Sequence, residues 1–157
     1  MHPSAILYFG REPRVVLVAP MHVNQDGIGY EQEGVRLLPA GYSTADLGEA
    51  LKQALSAFSE RRRDVRLQKK TEWPAFRASG LSSVARFERE FLPVVVEYLN
   101  ASGAVARAEV SLPDEDNIGV CCSFNPRLLA EDIGSRLAAL LRVYAVASKA
   151  EQSGLSQ

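Results

Sequence analysis

The sequence predicts an α+β fold, a mostly antiparallel sheet packed against a few helices, the last of them a long C-terminal one. Three observations carry this. Segments rich in β-branched residues gather at the start and in the later half, an amphipathic helix lies between them, and a second amphipathic stretch closes the chain. At 157 residues, 46% of them hydrophobic, the chain is long enough to bury a core without metal or disulfide. It reads as a single domain over 1–157, ordered from about residue 4 to 149, with a polar tail behind.

Taken in order, Ala5 to Phe9 and Val15 to Ala19 read as strands flanking a turn at Gly10 to Arg14. Met21 to Gly34 is polar and glycine-rich, a loop or irregular hairpin, followed by a short strand at Val35 to Leu38. Leu47, Leu51, Ala54, Leu55 and Phe58 fall on one stripe of a helix spanning Ser43 to about Arg62. Ser43 and Asp46 are spaced as a capping box, and Arg61 to Arg63 suit the negative pole of that helix. Pro74 can open a short helix that Gly80 ends, and Ser83 to Glu90 gives another. Leu92 to Leu99 reads as a buried strand in which Pro93 demands an early or edge position. Val105 to Leu112 alternates with period two, and Ile118 to Phe124 completes an antiparallel meander. Asn125 and Pro126 are placed to start the closing helix, whose apolar face is Leu129, Ile133, Leu137, Leu140, Leu141 and Tyr144. Gly134 on that helix costs about 1 kcal/mol relative to Ala, which points to an element packed closely against it.

Chemistry is scarce. The formal charge of -1 argues against a dedicated nucleic-acid domain. No secretory signal and no apolar run of bilayer length is visible, so the expected address is the cytoplasm and no membrane partner is expected. Cys121 and Cys122 are neighbours whose side chains would take opposite faces of a strand, reading as reduced thiols. His22, four residues before Asp26, reads as a loop histidine without a nucleophile assigned to it. Gly27-Ile28-Gly29 lacks a third spaced glycine, and no cofactor, metal set or small-molecule substrate is implied. The basic run Arg61 to Lys70 could follow a phosphate backbone, which leaves a small nucleic-acid-binding module as the alternative reading, though no aromatics are interleaved with it. Asp114, Glu115 and Asp116 form an acidic hairpin tip suited to steering a cationic protein surface.

The middle of the chain carries a resemblance. A helix with Leu47-Gly48-Glu49-Ala50-Leu51 leads to Trp73-Pro74-Ala75-Phe76, then to Ser79-Gly80-Leu81-Ser82-Ser83-Val84-Ala85-Arg86-Phe87. This order of a Leu-Gly helix, a Trp and a Ser-Gly-x-x-Ser-x-x-x-Phe segment resembles the CdiI-type immunity proteins of contact-dependent growth inhibition systems. The likeness spans about Gly41 to Val96; Val84 departs from it, where a bulkier residue is expected. The resemblance implies a cytoplasmic, non-enzymatic protein whose partner is the cognate C-terminal toxin domain, frequently a nuclease, blocked at its active site or substrate surface. Carboxylates would then face a cationic groove: first Asp114, Glu115 and Asp116, second Glu31 and Glu33. Trp73, Gly80, Ser83 and Phe87 read as scaffold.

Overall fold

A computed structural model describes residues 2–11, 14–61, 69–112 and 115–154, with the side chains of 110–118 and 147–154 outside that description. The chain builds an open sheet on a central hairpin. β1 (Ser4–Gly10) and β2 (Val16–Val23) pair antiparallel, Leu7 opposite Val18, and the Gly10 N–H donates to the Val15 carbonyl at 2.8 Å to close the turn. Beyond β2 lies β3 (Gly29–Glu31); β4 (Arg36–Leu38) and β5 (Ser59–Glu60) also pair with β2. On the far edge of β1 follows the meander of β6 (Phe91–Asn100), β7 (Gly103–Leu112) and β8 (Glu115–Phe124). The strand order is β3-β2-β1-β6-β7-β8, and every pairing except the parallel β2–β5 contact is antiparallel.

Alternation decides what each face buries. Ala5, Leu7, Val16, Val18, Leu92, Val94, Val96, Ala104 and Ala106 point to one side, where α1 (Thr44–Ser56) and α4 (Ala130–Gly154) cover them. The two helices cross on their glycines. A Cβ at Gly48 would lie 1.8 Å from the Ala130 carbonyl oxygen, and one at Gly134 would lie 1.8 Å from that of Thr44. Backbone meets backbone at both points, which explains why Gly134 is tolerated inside a helix. The opposite face carries Tyr8, Leu17, Ala19 and Phe91, covered by α2 (Pro74–Ala78) and α3 (Val84–Glu90). Phe87, 1% exposed, is the centre there: it stacks on Phe91 at 4.9 Å and meets Tyr8 at 5.1 Å and Phe76 at 5.9 Å.

The caps follow the sequence. Ser43 and Asp46 form the reciprocal capping box, Pro74 opens α2, and Ser83 Oγ accepts the Arg86 N–H at 3.1 Å. Gly80 terminates α2 with φ at +69°. Several boundaries differ. The first helix ends at Ser56 rather than near Arg62, because residues 59–61 find partners on β2, including a 2.9 Å bond from the Arg61 N–H to the Val23 carbonyl. Intrinsic preferences of a few tenths of a kcal/mol per residue do not outweigh such pairing. Asn125 does not cap α4: its side chain accepts the Arg127 N–H at 2.9 Å in a separate turn, the helix starts at Ala130, and Leu129 is 74% exposed. Its other end, for which the sequence sets no bound, is Gly154. Finally, β2 extends into the stretch read as loop, and Val23–Gly29 tightens into a hairpin with Asn24 accepting from the backbone of Asp26 and Ile28.

Candidate functional site

α2 and α3 cover only part of their face. Past Phe91 the outward side of β6 opens: Val95 and Leu99 are 39% and 50% exposed, whereas Val94 and Val96 beneath them are fully buried. The valine run that reads as a buried strand is therefore covered on one side only. Two adjoining cavities occupy the open face. One, about 530 Å³, runs over Met21, Val23, Val95, Tyr98 and Leu99, with Glu97 and Arg107 paired at 3.6 Å beside it. The other, about 410 Å³, lies between the sheet and the segment entering α2, with Tyr8, Tyr30, Glu31, Lys70 and Trp73 on its walls. Ile6, Met21 and Gly29 line both, so the two make one groove with an apolar floor.

Glu31 is the buried carboxylate on the wall of this groove. It sits on β3, 7% exposed, opposite Met21. Its Oε1 accepts from the Tyr8 hydroxyl at 2.5 Å and its Oε2 from the Ala75 N–H at 2.8 Å, tying β1, β3 and the first turn of α2 together. Burial pushes the Glu31 carboxyl above the ordinary glutamate range, against the downward pull of those two bonds. The Tyr8 phenol moves far upward, first from burial and then from the neighbouring carboxylate. On the rim, the Lys70 ammonium lies 5.5 Å from the Trp73 ring centroid and 2.7 Å from Glu88.

No family model and no curated protein matches the sequence. Solved structures share its fold. The Neisseria meningitidis protein of unknown function NMB0488 superposes with a TM-score of 0.67 at 17% identity, over 90% of this chain and 94% of that one. A chain of the CdiA-CT/CdiI toxin and immunity complex from Yersinia pseudotuberculosis superposes with a TM-score of 0.61 at 13% identity, over 90% of this chain and 97% of that one. At these identities the likeness is one of fold.

The residues singled out in the sequence separate. Glu33 is exposed and ion-paired to Arg77, whereas Glu31 is a buried carboxylate rather than a solvated loop one. Asp114 lies outside the described residues, as do the side chains of Glu115 and Asp116, whose backbone begins β8. Of the basic run, residues 62–68 lie outside the description, and Arg61, Lys69 and Lys70 are exposed. His22 is a strand residue, 4% exposed, with Nδ1 2.7 Å from the Ser59 hydroxyl, while Asp26 sits in the Asn24 turn. Cys121 is exposed and Cys122 half-buried, both free thiols. Among the described residues no cluster could hold a metal ion, and no helix is long and apolar enough to cross a membrane. Gly80, Ser83 and Phe87 are scaffold as read, but Trp73 also lines the groove. The sequence places Tyr8 only within the first strand and not at the site; its alternation against Leu7, which puts it on the opposite face, is the signal available.

Proposed function

We propose that this chain is an immunity protein: a cytoplasmic binding protein without catalytic activity that neutralises the C-terminal toxin domain of a contact-dependent growth inhibition effector. Binding covers the toxin's active site or substrate surface. The observation that carries this reading is the likeness of fold, along nearly the whole length of both, to a chain of a toxin and immunity complex. An open sheet face with exposed Val95 and Leu99 beside charged Glu97 and Arg107 supports it, being the mixture of apolar centre and polar rim that protein partners bury. A nuclease toxin brings a cationic groove, and Asp114, Glu115, Asp116 and Glu33 are the carboxylates proposed to meet it, with Glu31 acting from within the groove.

The test is co-expression with C-terminal toxin domains of contact-dependent growth inhibition effectors, beginning with any encoded beside this gene. The expected result is restored growth and a stoichiometric complex on size exclusion; absence of both, or turnover of any substrate by the purified chain, overturns the reading. The combined Asp114→Asn, Glu115→Gln and Asp116→Asn variant should associate about tenfold more slowly at low salt and show a flatter salt dependence in stopped flow.

A further inference from the structure

Glu31 is more than nine-tenths buried and lines a cavity of about 410 Å³, and among the described residues its two bonds come from a neutral hydroxyl and a neutral amide, with no ion pair to a cation. A carboxylate can accept roughly four hydrogen bonds, and groups of the described residues supply two of them here. A buried carboxylate without a counter-charge is costly to keep. The same cavity is walled by the aromatic rings of Tyr8, Tyr30 and Trp73. Independently, the structure already holds a cation against this wall: Lys70 places its ammonium over the Trp73 ring. That ammonium is anchored outward by Glu88, so it marks the mouth of the cavity.

We infer that this cavity is a receptor for a guanidinium group, an arginine side chain of the protein partner, which stacks on Trp73 and donates to the Glu31 carboxylate. The inference rests on the reading of the chain as a toxin-binding protein and names the chemistry the partner must present. Guanidinium suits the site because it is planar, stacks on indole and carries several donors in one fork. Lys70 guards the mouth, competing for the Trp73 face when the partner is absent.

Trp73 is the chain's single tryptophan, so its emission reads the cavity directly. The probe is methylguanidinium chloride, titrated below denaturing concentrations, with sodium chloride at equal ionic strength and neutral N-methylurea as controls. The expected result is a saturable change in Trp73 emission with methylguanidinium only. It should weaken about tenfold or more in Glu31→Gln and tighten about two- to threefold in Lys70→Ala. A response that sodium chloride or N-methylurea reproduces overturns the inference. So does a Lys70→Ala variant with unchanged affinity, which decides the matter even if Glu31→Gln fails to fold, since Lys70 is an exposed side chain. The toxin is absent from this titration. A chain that protects against its toxin but ignores methylguanidinium therefore loses only the cavity's assignment. A chain that binds methylguanidinium but protects against nothing loses only the identity of the partner.

Discussion

The two faces of the sheet are closed by opposite means. On one, α1 and α4 lie so near each other that two glycines touch neighbouring backbone, and the space is already full. On the other, short helices bring large rings, Phe76, Phe87 and Phe91 around Tyr8, and leave the rest of the face open as a groove. The first face therefore resists addition and the second resists removal. Long helices bring enough apolar surface to cover their face. The two short helices together span only twelve residues, and the uncovered remainder is where a partner can bind.

Deleting a ring should have the larger effect. Phe87→Ala removes the centre of the aromatic cluster and is expected to destabilise by about 3–5 kcal/mol in urea unfolding. A loss below about 1 kcal/mol would mean that the open face does not rely on that cluster. Gly134→Ala adds one methyl on the other side. Helix preference alone favours Ala by about 1 kcal/mol, but the methyl meets the Thr44 carbonyl, and overpacking against backbone costs about 1–3 kcal/mol or more. We expect a net loss of about 2 kcal/mol; a rise in Tm would show that α1 and α4 can part without penalty. Tyr8→Phe keeps the ring and strips the hydroxyl from Glu31 Oε1. That should cost about 1.5 kcal/mol, with little change in the Trp73 emission maximum if the groove keeps its shape.

The closed face was the more legible of the two. Leu47, Leu51 and Leu55, like Ile133, Leu137 and Leu141, repeat with helical spacing, and the cost of a glycine within a helix signalled the close crossing at Gly134. The strands of the meander were legible because Val105 to Leu112 alternates visibly. What could not be read was which face stays open. Val94, Val95 and Val96 are identical as letters, and only the shortness of α2 and α3 leaves the middle one exposed. The groove's buried carboxylate was hidden for the same reason. Glu31 and Glu33 look alike in a polar stretch, yet pairing Met21 with Glu31 turns one inward, and its partners Tyr8 and Ala75 lie 23 and 44 positions away. The end of α1 was set by β2, which no local pattern near Ser56 reveals.

The smallest expected effect separates the faces by sign. Asp46, at the start of α1, has its carboxyl held below the ordinary value of 3.8 by the side chain and backbone of Ser43. Stability from a lowered carboxylate is present above the unfolded value and lost as pH falls through the folded one. Glu31, on the other face, is raised above 4.5 chiefly by burial. The folded chain then binds the proton more tightly than the unfolded chain, so this contribution is full below 4.5 and declines as pH rises through the folded value. Subtracting the stability of each variant from that of the parent isolates the two groups. The parent minus Asp46→Asn difference should climb with pH below 3.8, and the parent minus Glu31→Gln difference should fall with pH above 4.5. Urea unfolding at closely spaced pH values measures both. Two differences of the same sign would mean that Glu31 is stabilised as a charge in the folded chain, with the Tyr8 and Ala75 bonds outweighing its desolvation.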